Sequence, residues 1–122
     1  MNSKVLIIDD DKEFSEELRE TLVLSGYDVV VINDAELSLD SIDTIKPNVI
    51  LLDLKMPKKS GFQIASELRR FSELSIVPII AMTGFFKSES IQILLQVFGI
   101  QDFLQKPFTP LDAISKIESV LV

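Results

Sequence analysis

The chain has 122 residues, of which 47% are apolar and 25% are charged, and this size and composition are typical of one globular domain over residues 1–122. Cysteine and histidine are both absent, which excludes disulfide bonds and thiolate metal sites and makes a reducing cytoplasm the expected location. No apolar run is long enough to cross a membrane, and a net charge of −7, concentrated in acidic residues of positions 1–40, argues against direct nucleic-acid binding.

Short apolar runs alternate with segments of helical periodicity along the whole sequence. The first four runs are continuous, as expected of strands that are buried on both faces. The predicted strands are Val5–Ile8, Val29–Ile32, Val49–Leu52, Ile79–Met82 and Phe103–Gln105. A helix pattern follows each strand, so the sheet is predicted to be parallel.

The first two helix patterns differ in strength. In the first, apolar residues recur at i, i+4 and i+8 from Phe14 to Leu22, and the pattern ends at Gly26, a residue typical of a helix C-terminus. The second pattern, over 35–45, is weaker and has Asn33 as a possible cap.

The other three helix patterns have clearer boundaries. Ser60 and Gln63 form a capping-box signature at the start of the third helix, and the fourth helix ends at Gly99. The fifth helix is predicted to begin with Thr109 as its N-cap and Pro110 in its first turn. Its predicted buried stripe consists of Leu111, Ile114, Ile117 and Leu121.

These patterns together predict an α/β fold, namely a three-layer, doubly wound (βα)5 sandwich around a parallel five-stranded sheet. Right-handed crossovers favour the flavodoxin-like strand order 2-1-3-4-5, whose switch point lies between strands 1 and 3. Ligands in such sheets bind beyond the carboxyl ends of the strands, so functional residues are expected there.

Polar residues follow four of the five predicted strands. Asp9 and Asp10 follow strand 1, Asp53 follows strand 3, Thr83 follows strand 4 and Lys106 follows strand 5. Converging carboxylates repel one another unless a cation intervenes, and Mg²⁺ is the cation that fits best. Asp53, alone at the end of an apolar strand, suits a nucleophile in phosphoryl transfer, with the hydroxyl and the ammonium group as electrophilic helpers.

Each of these positions also has a simpler interpretation. Asp11, the next residue along, is best explained as the N-cap of the first helix. Thr83 with Gly84 could equally form a turn alone, and Lys106 with Pro107 a bend alone. The joint placement of acids, hydroxyl and amine at strand ends favours the functional interpretation.

Four motifs, in order and at the family spacing, resemble the response-regulator receiver domain of two-component signalling over the whole chain. They are Lys4–Asp11, Val49–Pro57 with Gly61, Pro78–Gly84 and Asp102–Phe108. The resemblance implies a domain that accepts a phosphoryl group from a sensor histidine kinase or a histidine phosphotransfer protein. It also implies a conformational switch that controls a protein partner or an output domain, and catalysis of nothing beyond the domain's own phosphorylation and dephosphorylation.

The resemblance assigns the metal site and the acceptor to named residues. Asp53 would be the phosphoacceptor, and Asp10 and Asp53 would bind Mg²⁺ directly. Asp9 would bind it through water, and Lys55 would bind it through its backbone carbonyl.

The resemblance also assigns a switch. Thr83 would bind a phosphoryl oxygen, and Lys106 would pair first with the Asp53 carboxylate and then with the phosphate. Pro107 would follow a cis peptide bond. Phe103, in place of the family's commoner tyrosine, would be the aromatic switch residue that turns inward as the threonine moves.

Self-association is a further expectation from the resemblance. Receivers commonly use the face formed by helix 4, strand 5 and helix 5 for partners or for a homodimer. An apolar patch made of Phe85, Phe86, Ile93, Val97 and Ile100 is expected to enlarge that face, with burial of most of these side chains in the core as the open alternative.

Three alternatives stay open at this point. Asp9–Asp11 resembles the DxD nucleophile motif of haloacid-dehalogenase-type phosphatases, although Glu13, the short chain and the lack of a cap domain argue against them. A flavodoxin-like cofactor carrier needs a first loop that accepts phosphate, which three aspartates oppose. A pseudo-receiver that binds partners without phosphorylation is disfavoured because every expected functional group is present.

Overall fold

The computed structural model describes residues 2–34, 39–71, 74–84 and 88–121, without the side chains of 39 and 88–91. Five strands and five helices alternate in this described part of the chain. The strands are β1 (Lys4–Ile8), β2 (Asp28–Ile32), β3 (Val49–Asp53), β4 (Ile79–Thr83) and β5 (Asp102–Gln105). The helices are α1 (Lys12–Leu24), α2 (Leu39–Ile45), α3 (Gly61–Arg70), α4 (Ser88–Phe98) and α5 (Pro110–Val120).

The strands form one parallel sheet in the order β2-β1-β3-β4-β5, which confirms the predicted topology. The register aligns Ile8 with Leu52 and Thr83 with Gln105. Because parallel strands in this register end together, the residues that follow β1, β3, β4 and β5 all lie at one end of the sheet, here called the carboxyl end. The opposite end is called the amino end.

All five residues of β3 are buried, as are those of β4. Each face of the sheet has its own apolar core, because successive strand residues point to opposite sides. One core lies beneath α1 and α5 and includes Ile7, Leu51 and Met82; the other lies beneath α2, α3 and α4 and includes Leu6 and Leu52. The three-layer architecture is therefore confirmed.

The helix boundaries follow from the predicted capping residues. The Asp11 side chain accepts from the backbone N–H of Phe14 at 3.0 Å and caps α1, whose end is followed by Gly26 at a φ of 97°. Capping boxes begin α3 at Ser60 and α5 at Thr109. Since each cap satisfies backbone N–H groups that have no partner within the helix, these residues fix where the helices start.

Two predictions about apolar residues are wrong. Leu111 is 77% exposed, because the buried stripe of α5 runs through Ala113 and Ile117, one turn apart on a different side of the helix. Ile100 is only 5% exposed and belongs to the core beneath α4, so it does not extend the surface patch. Phe85, Phe86 and the proposed start of the second helix at 35–38 lie outside the described residues.

The amino end of the sheet is held together by Arg69, at the C-terminal end of α3. Its guanidinium group donates to backbone carbonyl oxygens of the segments that lead into β4 and β5, at 2.7 to 3.0 Å. These acceptors belong to Leu74, Ser75, Val77 and Gly99. The same group bonds the Gln101 side chain, whose Oε1 also accepts from the backbone N–H of Ile79. Burial lowers the pKa of Arg69.

In the part of the chain that the structure describes, no helix is both long enough and apolar enough to span a bilayer.

Candidate functional site at the carboxyl end of the sheet

Carboxylates from two strands meet at the carboxyl end of the sheet. Asp9 and Asp10 follow β1, and Asp53 is the last residue of β3. One carboxylate oxygen from each lies within 4.8 Å of those from the other two, so the structure brings together the three acidic residues predicted to hold a metal. Asp9 is fully buried and Asp53 is 6% exposed, whereas Asp10 is exposed. These three residues are called the acidic triad below.

The ammonium group of Lys106 lies against the acidic triad. Its Nζ donates to Asp9 Oδ2 at 2.8 Å and lies 3.8 Å from Asp53 Oδ2. Lys106 thus pairs with Asp53, the predicted partner, and makes its shorter contact with Asp9, since the fully buried carboxylate has the greater need of a compensating charge. The backbone N–H of Lys106 donates to the Thr83 carbonyl at 2.7 Å, which joins the ends of β4 and β5. The peptide bond between Lys106 and Pro107 is cis.

Asp53 holds its proton more tightly than an ordinary aspartate. Its pKa is raised from 3.8 to about 6, chiefly because burial disfavours the charged form. The backbone N–H of Lys55, which donates to Oδ1 at 3.1 Å, opposes this rise, the charge of Asp9 adds to it, and the Lys106 ammonium also opposes it. A cation bound to the acidic triad would favour the ionised form of Asp53.

Gly61, the first residue of α3, lies very close to the backbone at the end of β3. A Cβ atom on this residue would lie 2.3 Å from the Asp53 carbonyl oxygen and 2.8 Å from Leu54 Cα, so only glycine fits. The backbone N–H of Gly61 donates to the Leu54 carbonyl at 3.2 Å. The first residue of α3 therefore fixes the backbone from which the Asp53 side chain projects.

Asn33 supports the acidic triad from β2 and was missed as a site residue. Its side-chain amide donates to the Asp9 carbonyl at 2.7 Å and to Ser15 Oγ at 2.9 Å. The sequence pattern predicts for Asn33 only a capping role toward residue 36, which lies outside the described residues. Its position directly after β2, which pairs with β1, is the signal that would have found it.

Phe14 was also missed. The Nζ atom of Lys106 lies 4.3 Å from the centroid of the Phe14 ring, and the edge of Phe108 packs against the same ring at a centroid distance of 5.6 Å. The i, i+4, i+8 pattern of α1 predicts Phe14 on the core side of the helix, and Phe14 does pack against the core that contains Leu18 and Leu22. The ring itself is half-buried beside the site.

The two residues predicted to act as the switch lie on neighbouring strands. Thr83, the last residue of β4, is 4% exposed. Phe103 of β5 is half-buried and packs against the core beneath α2, α3 and α4. It pairs in register with Ala81, two residues before the threonine. Their roles stay predictions.

A cleft of about 570 Å³ opens beside the exposed member of the acidic triad. Asp10 lies on its wall, together with Lys12 from α1 and Lys58 from the loop after β3. The arrangement therefore combines a buried carboxylate, a cluster of carboxylate oxygen atoms and several cationic side chains. Such a set of groups suits transfer of an anionic group to Asp53.

The fold matches solved structures of known proteins. The chemotaxis response regulator CheY4 of Vibrio cholerae superposes with a TM-score of 0.91 at 28% identity, over 99% of this chain and 100% of that chain. The receiver domain of the Francisella response regulator 1452 gives a TM-score of 0.87 at 28% identity, over 98% and 97% of the two chains. The fold class is therefore that of chemotaxis-type regulators.

Sequence comparison gives the family. The family model described as the response regulator receiver domain matches residues 5–118, and the chain therefore belongs to that family. The alkaline phosphatase synthesis transcriptional regulatory protein PhoP of Bacillus subtilis is 33% identical over 122 residues, which is 99% of this chain and 49% of PhoP. The transcriptional regulatory protein CpxR of Escherichia coli K12 is 34% identical over 119 residues, 98% of this chain and 49% of CpxR. The chain spans about half the length of these curated relatives.

Proposed function

We propose that this receiver domain accepts a phosphoryl group on Asp53, with Mg²⁺ held by the acidic triad, and that residues 1–122 act as one domain. The observation that carries the proposal is the surroundings of the Asp53 carboxylate. It is nearly buried, lies beside two further carboxylates, and has the Lys106 ammonium 3.8 Å away. A purely structural role for the two buried acids, Asp9 and Asp53, is costly, because like charges in a buried place destabilise the fold.

The residues present fit Mg²⁺. The acidic triad offers oxygen atoms from three carboxylates, the type of ligand that hard divalent cations prefer. Asp10 and Asp53 would bind the ion directly, Asp9 would bind it through water, and the backbone carbonyl of Lys55 would complete the protein ligands. When bound, the ion would neutralise charge on the phosphoryl oxygens during transfer.

The chemical step needs one bond made and one bond broken. An oxygen of the ionised Asp53 carboxylate forms a bond to phosphorus while the bond between phosphorus and the imidazole nitrogen of the donor phosphohistidine breaks. The imidazole leaves with the bonding electron pair, and the product is an acyl phosphate on Asp53. Lys106 and Thr83 stabilise the charge on the transferred oxygens. Hydrolysis by water returns the carboxylate and free phosphate, so the domain catalyses only its own modification and its reversal.

The proposed role implies a phosphoryl donor protein and a downstream protein or domain that the switch controls. The donor is a sensor histidine kinase or a histidine phosphotransfer protein, and Lys12 and Lys58 in the cleft favour the approach of its anionic phosphoryl group. Thr83 and Phe103 form the switch, which controls a downstream protein or an output domain. The domain works in the cytoplasm and makes no direct contact with nucleic acid.

Self-association through α4, β5 and α5 is part of the proposal. Ile93 and Val97 lie one turn apart on α4 and are 65% and 68% exposed, so they offer an apolar contact. A homodimer that forms through this face loses affinity in Val97→Asp. Sedimentation of the phosphorylated protein tests this, and an unchanged dimer in the variant contradicts it.

The acceptor role is tested by labelling with a small acyl phosphate, acetyl phosphate, in the presence of Mg²⁺. Intact-protein mass spectrometry is expected to show one phosphoryl group, which is absent after chelation of the metal and absent in Asp53→Asn. Asp28→Asn is the matched control, because Asp28 is an exposed acid at the amino end of the sheet. Continuous release of phosphate that depends on Asp9 would instead support a phosphatase, and no label on the wild type would contradict the proposal.

A further inference from the structure

The ring of Phe14 lies beside Lys106 in the described site and has no role in the family assignment given above. Its centroid lies 4.3 Å from Lys106 Nζ, within the roughly 6 Å over which an aromatic face attracts a cation. We propose that Phe14 is a positioning residue: its ring holds the Lys106 ammonium where it can reach a phosphoryl oxygen on Asp53. The inference rests on the proposed function of Asp53 and Lys106.

The ring is tied to the carboxylates by the backbone of one short segment. The backbone N–H of Asp11 donates to Asp9 Oδ1 at 3.0 Å, and the backbone N–H of Phe14 donates to Asp11 Oδ1 at 3.0 Å. Asp9 in turn accepts the ammonium of Lys106 at 2.8 Å. The carboxylate partner and the ring partner of Lys106 are thus set at a fixed separation by the first turn of α1.

A second ring fixes the orientation of the first. Phe108 packs edge-on against Phe14, with an interplanar angle of 87° and a centroid distance of 5.6 Å. It lies two residues after Lys106 in the same loop. The two rings therefore hold α1 against the loop that carries the ammonium group, and an edge-to-face pair of this kind favours one ring orientation.

The chemistry explains why a ring is suited to this place. Lys106 now bonds the Asp9 carboxylate and has to reach a phosphoryl oxygen once Asp53 is modified. Another carboxylate would hold the ammonium by a charge-assisted hydrogen bond that must break first. The ring attracts the cation without such a bond and excludes water from one side, so the ammonium stays close while its anionic partner changes.

The test compares two substitutions of Phe14 that differ in whether an aromatic face remains. Phe14→Leu keeps an apolar side chain but removes the aromatic face, whereas Phe14→Tyr keeps the face. With acetyl phosphate and saturating Mg²⁺, the phosphorylation rate is expected to fall about three- to tenfold in the leucine variant and to stay within about twofold in the tyrosine variant. The affinity for beryllofluoride, which mimics the phosphoryl group, is expected to change in the same way.

Three controls separate positioning from loss of packing. The Mg²⁺ affinity of both variants is expected to equal that of the wild type, because Phe14 supplies no ligand. Phe71→Leu, a half-buried phenylalanine at the C-terminal end of α3, is expected to lower stability without changing the rate. In a Lys106→Met background, Phe14→Leu is expected to have no further effect on beryllofluoride binding.

The outcomes distinguish failure of the proposed function from failure of the role proposed for Phe14. If the wild type takes no label, the proposed function fails. If the wild type is labelled and Phe14→Leu reacts at the wild-type rate, only the role of Phe14 is overturned. Equal slowing in the leucine and tyrosine variants, or an undiminished effect in the Lys106→Met background, would assign Phe14 to packing alone and likewise overturn the inference.

Discussion

The two ends of the sheet both carry charged groups out of full contact with water, but in opposite circumstances. At the amino end, the Arg69 guanidinium donates to backbone carbonyls that lead into β4 and β5. At the carboxyl end, Asp9 and Asp53 lie beside each other, and one ammonium group serves both. Every donor group of the Arg69 guanidinium thus faces neutral acceptors, whereas the two carboxylates of Asp9 and Asp53 share one ammonium group and carry one negative charge in excess.

The difference shows which end of the molecule is built for stability and which for binding. A cation surrounded by satisfied neutral acceptors stabilises the folded chain and gains little from any ligand. An excess of buried negative charge costs stability until a cation or a proton arrives, so that end gains from ligands. The following predictions test this contrast, beginning with the largest effect.

Removal of the Arg69 guanidinium is expected to have the largest effect on stability. Arg69→Met removes the guanidinium hydrogen bonds to the carbonyls of Leu74, Val77 and Gly99, and the free energy of unfolding is expected to fall by about 4 kcal/mol. Urea denaturation measures the change. Arg70→Met is the matched control, because Arg70 follows Arg69 in the sequence and is exposed to solvent. A change below about 0.5 kcal/mol is expected for this variant. A large loss of Mg²⁺ affinity in Arg69→Met would contradict the separation of the two ends.

Replacing Asp53 by a neutral residue is expected to raise the free energy of unfolding, whereas Arg69→Met lowers it. Asp53→Asn removes a charge from the acidic triad, so without divalent cations near pH 7.5 the free energy of unfolding is expected to rise by up to about 3 kcal/mol. This figure follows from a pKa of about 6 in the folded protein against 3.8, at about 1.4 kcal/mol per unit. Lower stability of Asp53→Asn under these conditions would contradict the prediction.

The pH dependence of this effect has a definite sign. Below about pH 4 Asp53 is protonated in both states and contributes nothing. Between about pH 4 and 6 the unfolded chain releases the proton first, so the contribution of Asp53 to stability becomes increasingly unfavourable, and above that range it is constant. Denaturation of the wild type and of Asp53→Asn across this range is expected to show the two curves diverging as the pH rises. Saturating Mg²⁺ is expected to bring them together.

Gly61→Ala tests how strictly the backbone at the carboxyl end is fixed. Alanine is the better helix former, yet its Cβ would lie 2.3 Å from the Asp53 carbonyl oxygen. The clash is expected to prevail, lowering the free energy of unfolding by about 2 kcal/mol and weakening Mg²⁺ binding, since Asp53 must shift. Calorimetric titration with Mg²⁺ measures the second effect, and a stabilised protein of normal affinity would refute the close approach.

The smallest effect is expected for an exposed ion pair. Lys116 Nζ lies 2.9 Å from Asp102 Oδ2, with both side chains about a third exposed. Lys116→Met is expected to change the free energy of unfolding by about 0.5 kcal/mol or less, and less again at high salt. A change comparable to that of Arg69→Met would show that charge pairing, and not saturation of carbonyl acceptors, stabilises the amino end.

The fold could be predicted from the sequence because burial of a strand on both faces requires a continuous run of apolar residues. β3 and β4 are covered on both faces, and both appear as continuous apolar runs that end within one residue of the predicted boundary. The handedness of the crossovers then left few possible strand orders. The error at Leu111 arose because a helical period identifies a stripe but does not say which neighbouring element covers it. Ile100 follows α4, and its place in the core depends on tertiary contacts that no local pattern encodes.

The site was predictable where it depended on strand ends and not where it depended on contacts between distant segments. Asp9, Asp53 and Lys106 follow strands whose carboxyl ends must coincide, so their meeting follows from topology. Phe14 and Asn33 act through the direction of a ring and of an amide, which no local pattern encodes. The preference of Lys106 for Asp9 over Asp53 likewise depends on the relative burial of two carboxylates, known only from the folded chain.

The central position of β3 has a mechanical consequence. The strand is enclosed on both faces and hydrogen-bonded to β1 and β4 on either side, so the backbone behind Asp53 has nowhere to retreat. Because a close-packed interior resists compression, any bulk added at the tip of β3 must be accommodated by outward movement of the surrounding loops. A small covalent change at a rigid support is thereby converted into displacement at the protein surface, where another molecule can detect it.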